Sequence, residues 1–204
     1  MADRKTIEVY DTGATDYADR LTSDKPYPRL EAFIDAMPEG GRVLDLGCGP
    51  GNAAARMMAR GLKADALDAS EAMAALALER YGVSVRVGTF DDITGAEIYD
   101  GVWAHFSLLH APRKAFPRHL AAIRTALKAG GRFMVAMKSG EGEGADSLGR
   151  FYSYYGEEEL VGMLEAAGFE VFEREFGEDK GFAGKLDPWI ILHAVASPLP
   201  VAPT

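Results

Sequence analysis

Val43-Leu44-Asp45-Leu46-Gly47-Cys48-Gly49-Pro50-Gly51 is a short apolar run that leads into three glycines at alternate positions. The apolar residues predict a buried strand, because short runs of this kind bounded by turn residues are typical of parallel sheets. Residues 52–60, rich in alanine and methionine, predict a helix that ends at Gly61. Strand, glycine turn and helix together predict the opening of a nucleotide-binding βαβ unit, since glycine lets the backbone approach a ligand closely.

An acid inside this strand helps to separate two classes of ligand. Asp45 lies one residue before the last strand position, so we expect its carboxylate to face whatever lies over the turn. A carboxylate there repels the pyrophosphate of a dinucleotide and attracts an ammonium or sulfonium group. The spacing differs from the dinucleotide fingerprint as well, because Asn52 stands where that fingerprint has its third glycine.

The stretch resembles motif I of the class I S-adenosylmethionine-dependent methyltransferases, in the small-molecule-type branch. The resemblance implies S-adenosylmethionine as the cofactor and methyl transfer to a small-molecule acceptor as the activity. It also implies that Asp45 acts on the methionine ammonium and that the turn residues contact the cofactor. Those turn residues are Gly47, Cys48, Gly49 and Gly51.

A second acid follows at the end of the next predicted strand, residues 64–68. Asp68 stands about 20 residues past the glycine turn, where an acid can accept both hydroxyls of a ribose. That geometry suits the adenosine of either cofactor, and Ala69 is assigned to the same site. The other interpretation makes Asp68 an N-cap carboxylate, although Ser70 also suits the cap of the helix predicted over residues 71–80.

The turn after the third predicted strand, residues 83–87, is the expected adenine subsite. In the family that the chain resembles, an acid often follows the glycine of this turn, but Thr89 holds that place here. We therefore expect Asp91 to take over that role, with Phe90 supplying a backbone N–H and an apolar wall. The alternative is that Asp91 lies in a solvated turn.

Two further side chains are candidates by resemblance. His105 follows the fourth predicted strand, residues 99–104, where it would lie near the reacting methyl group. It is a candidate general base if the acceptor must lose a proton, and a structural histidine otherwise. Tyr17, in an N-terminal segment, is a candidate to close over the cofactor or to anchor that segment. We predict no metal site, because the histidines lack ligand spacing.

The rest of the chain predicts the remaining elements of an α/β fold. Strands alternate with helices to about residue 140, which predicts a parallel sheet covered on both faces. A helix is predicted over residues 113–128, then a strand over 133–137. By resemblance, strands at 169–173 and 189–195 complete a Rossmann-like sheet of seven strands, mostly parallel, with one antiparallel strand.

These elements predict a single domain over residues 1–196. Residues 1–38 would form N-terminal cap helices, and residues 197–204 a disordered tail. Residues 139–156 are a candidate substrate lid, because an acidic, glycine-rich stretch here follows the carboxyl end of a central strand. The other interpretation of this stretch is a solvated insertion.

Composition excludes several partners. The net charge of -9 argues against a nucleic-acid backbone and against an anionic membrane surface. The chain shows no secretory signal or membrane-length apolar run, and its one cysteine excludes a disulfide framework, so we expect a cytoplasmic protein. Two rival functions stay open, an NAD(P)-dependent oxidoreductase and a non-catalytic S-adenosylmethionine-binding protein. The oligomeric state and the acceptor stay open as well.

Overall fold

The computed structural model describes residues 3–21 and 27–198. Its strands form one large sheet and one small hairpin. The nine strands of the described ranges are β1 Arg42–Leu46, β2 Lys63–Asp68, β3 Val85–Val87, β4 Tyr99–His105, β5 Leu127–Lys138, β6 Glu143–Ala145, β7 Phe151–Ser153, β8 Phe169–Lys180 and β9 Leu186–Ala196. The α-helices in the same ranges are α1 Arg4–Thr12, α2 Ala14–Leu21, α3 Pro28–Asp35, α4 Asn52–Ala59, α5 Glu71–Tyr81, α6 Phe116–Ala126 and α7 Glu157–Ala166.

The large sheet has seven strands in the order β3-β2-β1-β4-β5-β9-β8. Only β9 runs antiparallel to its neighbours, which confirms the predicted Rossmann-like, mostly parallel sheet. The chain leaves β1 in one direction towards β2 and returns on the other side as β4. A crevice opens at such a reversal, beyond the carboxyl ends of the strands, and this is where ligands bind in open α/β sheets.

Helices cover both faces of the sheet and enclose two cores. On one face, Leu120 of α6 and Leu164 of α7 are fully buried against the strands. On the other, Phe33 of α3, Met57 of α4 and Ala77 of α5 are buried. Burial of apolar side chains on both faces is the main stabilisation of this layered arrangement, and it fixes which strand ends meet at the crevice.

The predicted helix over residues 113–128 is shorter in the structure. Residues Arg113–Ala115 form a 3₁₀ turn. Helix α6 begins at Phe116 and ends at Ala126. Leu127 already pairs with Tyr99 as the first residue of β5, yet it is buried as the apolar spacing predicted. Pairing to the neighbouring strand therefore overrides the helical pattern at this position.

The last two strands are longer than predicted. β8 and β9 form a hairpin that extends beyond the sheet and turns through residues 181–185. Part of the 139–156 stretch is also paired, because β6 and β7 form a two-stranded hairpin. The lid hypothesis and the division into one domain stay predictions. The predicted disordered tail falls mostly on residues 199–204, which lie outside the described residues.

Helices α1 and α2 lie against α5 at the carboxyl edge of the sheet. The carboxylate of Asp11 in α1 accepts a hydrogen bond from Ser70 Oγ at 2.5 Å and another from the N–H of Ala72 at 3.2 Å. These contacts fix α1 over the start of α5. Within the described part of the chain, no helix is long and apolar enough to cross a membrane.

Candidate functional site

All three glycines of the turn after β1 have a left-handed backbone conformation. Their φ angles are +70° at Gly47, +53° at Gly49 and +79° at Gly51. A Cβ on Gly47 would lie 2.3 Å from Cβ of Ser107, and one on Gly51 would lie 2.7 Å from Cβ of Ala77. These two glycines therefore permit close packing within the protein.

Gly49 differs from the other two because its open side faces a cavity. An added Cβ there would meet only the Tyr17 ring, at 3.9 Å. Gly49 also lines the cavity, together with Gly47 and Tyr17. The turn therefore presents backbone without a side chain to the cavity at this position.

Asp45 is buried beneath the turn, with 2% of its surface exposed. Its Oδ2 accepts a hydrogen bond from the N–H of Ala54 at 3.0 Å, which ties the first turn of α4 to β1. Burial raises the pKa of this carboxyl to about 7. Asp45 is not among the residues that line the cavity, so its action on a ligand ammonium stays a prediction.

Asp68 lines the cavity and accepts hydrogen bonds from the backbone on two sides. Its Oδ2 accepts from the N–H of Gly49 at 2.8 Å and its Oδ1 from the N–H of Ser70 at 2.9 Å. The side chain that caps α5 is that of Ser70, whose Oγ accepts from the N–H of Met73 at 3.0 Å. The interpretation of Asp68 as the N-cap is therefore wrong, and its carboxylate lines the cavity instead.

The cavity brings together most of the residues predicted for the site. Its walls include Tyr17, Gly47, Gly49, Asp68, Ala69, Phe90 and His105. Among the residues that the structure describes, the lining holds two acids, Asp3 and Asp68, and no lysine or arginine. Cys48 and Gly51 are not among the lining residues, and burial raises the pKa of the Cys48 thiol well above its usual range. Their contacts with a cofactor stay predictions.

Asp91 is placed differently from the expected adenine ligand. Its Oδ1 accepts from Arg118 Nη2 at 2.6 Å and lies 2.8 Å from His119 Nε2, and both partners belong to α6. The hydrogen bond with His119 lowers the pKa of Asp91. The carboxylate does not line the cavity, whereas Thr89 and Phe90 do. The adenine role of Asp91 stays a prediction.

His105 is the last residue of β4 and lines the cavity. Its Nε2 lies 3.0 Å from the hydroxyl of Tyr27, and its ring stacks on Trp103 with centroids 5.4 Å apart. Burial, with a smaller effect of Arg29, lowers the pKa of His105 to about 4. The imidazole is therefore neutral at neutral pH, which is the state that a proton acceptor needs, although it is a weak base.

A buried network that the sequence analysis missed closes one end of the cavity. Nδ1 of His110 lies 2.6 Å from the carbonyl oxygen of Phe151, which can only accept, so Nδ1 carries the proton. Nε2 of His110 then accepts from the Tyr10 hydroxyl at 2.9 Å. Arg150 Nη1 donates to the same hydroxyl at 2.9 Å. The network links α1, the β6–β7 hairpin and the segment after β4.

Arg150 itself is buried and paired. Two of its nitrogens donate to Oδ2 of Asp146, at 3.0 and 2.6 Å, and only 2% of its side chain is exposed. The spacing of four residues between Asp146 and Arg150 was visible in the sequence, but nothing local indicated that the pair is buried. The arrangement fixes the hairpin against Tyr10.

A second cavity of about 300 Å³ adjoins the first and shares Tyr10, Tyr17 and Phe106 with it. Phe106 has a φ of +53°, which is unusual for a bulky residue. Strained backbone of this kind is concentrated at functional sites. Among the described residues, no group of three or more metal-ligating side chains could hold an ion.

Comparisons with known proteins place this geometry in context. Residues 43–131 match the family described as "Methyltransferase domain". A relative from Mycolicibacterium gilvum, trans-aconitate 2-methyltransferase, is 44% identical over 78 residues, 37% of this chain and 29% of that protein. The aligned stretch thus spans less than a third of the curated relatives that the chain matches.

Two solved structures have the same fold. One is the Burkholderia thailandensis 1,6-didemethyltoxoflavin-N1-methyltransferase with bound 1,6-didemethyltoxoflavin and S-adenosylhomocysteine. It has a TM-score of 0.76 and 23% identity, over 95% of this chain and 88% of that one. The other is the Haemonchus contortus phosphoethanolamine N-methyltransferase 2, with a TM-score of 0.71 and 18% identity, over 92% of this chain and 58% of that one.

Proposed function

Because the chain carries a methyltransferase domain on the class I S-adenosylmethionine-dependent methyltransferase fold, we propose that it transfers a methyl group from S-adenosylmethionine to a small-molecule acceptor. The observation that carries the proposal is the cavity over the glycine turn, with Asp68 held at 2.8 Å from the N–H of Gly49. That cavity lies at the strand-order reversal between β1 and β4.

The charges of this cavity favour a sulfonium nucleoside over a dinucleotide. Within residues 3–21 and 27–198, its walls contain Asp3 and Asp68 and no lysine or arginine. Burial lowers the pKa of His105 to about 4, so this side chain is neutral. A pyrophosphate gains no cationic partner there, and a ligand with an ammonium and a sulfonium gains two acids. The rival proposal of a nicotinamide-dependent oxidoreductase is therefore disfavoured.

The chain's own residues fit S-adenosylmethionine as follows. Asp68 would accept the ribose hydroxyls through the lone pairs that Gly49 and Ser70 leave free. Thr89 and Phe90 would border the adenine, and Gly47 and Gly49 the methionine part. Asp45, beneath the turn, would favour the methionine ammonium.

Bound S-adenosylmethionine supplies an activated methyl group, so the protein's contribution is alignment and exclusion of water. The rings of Tyr10, Tyr17 and Phe106 stand between the two cavities, where an acceptor would meet the methyl group. Alignment of this kind can lower a barrier by roughly 7–11 kcal/mol in well-oriented cases. His105 would take a proton only from an acceptor that must lose one.

The proposed acceptor is a small molecule, as in the relatives whose names give trans-aconitate and 1,6-didemethyltoxoflavin. The net charge of -9 supports a partner other than nucleic acid or an anionic membrane. A cytoplasmic location fits the single, buried cysteine, Cys48.

A turnover assay tests the proposal. The protein is incubated with S-adenosylmethionine labelled in its methyl group and a panel of metabolites, and product is followed by mass spectrometry. We expect labelled product together with S-adenosylhomocysteine, and loss of both in Asp68→Ala. Tight S-adenosylmethionine binding without transfer to any compound would instead favour the non-catalytic binding protein.

A further inference from the structure

The second cavity lies next to the proposed cofactor cavity, and its chemistry is different. We propose that it binds the methyl acceptor and that the acceptor is a planar aromatic anion. The assignment of the ligand as the acceptor depends on the proposed function, whereas the ligand's charge and shape follow from the cavity itself. Its volume of about 300 Å³ suits a small molecule.

Aromatic rings form most of its apolar wall. They come from widely separated parts of the chain: Tyr10, Tyr17, Phe106, Tyr152, Phe182 and Trp189. Tyr17 contacts both Tyr10 and Phe182 edge to face, with centroids 5.3 Å apart in each pair. Such walls favour a flat, conjugated ligand, because aromatic rings gain from stacked and edge-to-face contacts.

Four cations also converge on this cavity, from four different elements. They are Arg20 of α2, Lys138 of β5, Arg150 of the hairpin and Lys180 of β8. Two acids of the described part of the chain, Asp179 and Asp187, share the lining with them. With Asp146, which pairs with Arg150 from outside the lining, three carboxylates stand against four cations, so the cavity carries a positive excess in a chain with a net charge of -9.

Two of these cations are already neutralised by carboxylates. Lys138 Nζ lies 2.6 Å from Oδ2 of Asp187, and Arg150 is held by Asp146. The other two, Arg20 and Lys180, have no carboxylate partner among residues 3–21 and 27–198. Arg20 donates from Nη1 to the carbonyl oxygen of Phe182 at 3.2 Å and lies 4.6 Å from the centroid of the Phe182 ring.

Among residues 3–21 and 27–198, Arg20 and Lys180 are therefore the lining cations that no carboxylate neutralises, and we assign them to an incoming anion. The neighbouring cavity has the opposite character, because its described lining contains Asp3 and Asp68 and no lysine or arginine. Two adjoining cavities of opposite charge suit a cationic methyl donor and an anionic acceptor, each with its own complementary site. A cationic acceptor would meet like charges and is disfavoured.

Calorimetry with three ligands of nearly the same shape tests this inference. The probes are 4-hydroxybenzoate, 4-hydroxybenzamide and 4-hydroxybenzylamine, which at neutral pH are anionic, neutral and cationic. Each is titrated into the protein alone and into protein saturated with S-adenosylhomocysteine. We expect the benzoate to bind about tenfold more tightly than the amide, and the amine to bind most weakly.

Substitution of the two lining cations tests whether the preference for the anionic probe arises in this cavity. We expect Arg20→Met and Lys180→Met each to weaken benzoate binding by about threefold to tenfold and to leave the amide unchanged, while Arg20→Lys retains most of the preference. Lys63→Met is the matched control, because Lys63 lies at the amino end of β2, away from both cavities, and the same charge is lost. Thermal unfolding of each variant shows that it is folded.

Equal affinity for the benzoate and the amide, or tightest binding of the amine, would overturn the inference. So would the same loss in Lys63→Met as in Lys180→Met. The same samples separate the inference from the proposed function. If S-adenosylhomocysteine binds and the anion preference is absent, only the inference falls. If S-adenosylhomocysteine does not bind, the proposed function falls and the protein-alone titrations still decide the charge of the ligand.

Discussion

The backbone nitrogen of Gly49 lies 2.8 Å from Oδ2 of Asp68, so the acid that ends β2 holds the glycine turn that ends β1. The glycine turn and the acid that ends β2, which are 19 residues apart in the sequence, are thus joined by a hydrogen bond. Asp68 restrains the turn and also lines the cavity over it. Its removal should therefore affect ligand binding more than folding.

Substitution of Asp68 tests the ribose role. We expect Asp68→Ala to weaken S-adenosylmethionine binding by at least about tenfold, or about 1.4 kcal/mol, because the ribose loses its acceptor and the turn loses a restraint. Calorimetry measures the affinity. Asp65→Ala is the control on the same strand, since Asp65 bonds to Arg42 and Tyr99 and does not line the cavity. Unchanged affinity in Asp68→Ala would refute the role.

Alanine substitution should reduce stability by different amounts at Gly47, in the turn after β1, and at Gly61, after α4. Both Gly47 and Gly61 have a positive φ, but an added Cβ meets Ser107 at 2.3 Å only at Gly47. We expect Gly61→Ala to cost about 1 kcal/mol of unfolding free energy from backbone strain, and Gly47→Ala about 3 kcal/mol or more, because overpacking is added. Chemical denaturation measures both. Equal costs would show that the turn yields around the new methyl group.

His110 predicts a pH dependence of stability. Burial lowers its pKa to about 4, below the ordinary value of 6.5. Between pH 6.5 and pH 4 the unfolded chain binds a proton here that the folded chain does not, so the unfolding free energy falls as the pH falls, by roughly 1.4 kcal/mol per pH unit. Denaturant unfolding at several pH values gives the unfolding free energy of the wild type and of His110→Gln, and the difference between the two is compared across pH.

The profile of the variant is subtracted because protonation of Asp45 changes the unfolding free energy in the opposite direction. Its raised pKa of about 7 makes the folded state bind more protons over part of the same range, which increases stability at lower pH. This contribution is present in both proteins and cancels. A difference between wild type and variant that is independent of pH would contradict the protonation state assigned to His110.

Loss of the buried Asp146–Arg150 ion pair should lower the unfolding free energy strongly. Arg150→Met leaves a nearly buried carboxylate without its partner, and we expect a destabilisation of about 3–5 kcal/mol. Arg174→Met is the matched control, because Arg174 pairs with Glu157 at the surface, and such a pair contributes about 1 kcal/mol or less. Denaturant unfolding compares the two. Similar small effects would mean that water solvates Asp146 once Arg150 is gone.

Local patterns in the sequence predicted much of the fold and part of the site. The apolar run at residues 43–46 and the alternate glycines identify β1 and its turn, because strand burial and positive φ leave a signal within a few residues. The resemblance to class I methyltransferases is confirmed by the family match over residues 43–131 and by the fold.

Contacts between distant residues were not predictable in the same way. Tyr10 meets His110 and Arg150, which lie 100 and 140 residues away in the sequence. Asp91 forms hydrogen bonds with Arg118 and His119, which lie 27 and 28 residues further along the chain, so the sequence around Asp91 does not indicate these partners. The end of α6 at Ala126 depends on the pairing of Leu127 with another strand. Each of these outcomes depends on tertiary packing, which helix and strand periodicity do not encode.

The most direct test of the account compares two cofactors on one protein sample. Calorimetric titration of S-adenosylmethionine and of NADH at the same pH and salt measures which ligand the cavity over Gly49 and Asp68 prefers. We expect S-adenosylmethionine to bind in a one-to-one complex that Asp68→Ala weakens, and NADH to show no saturable heat. Saturable binding of NADH, with none for S-adenosylmethionine, would contradict the account.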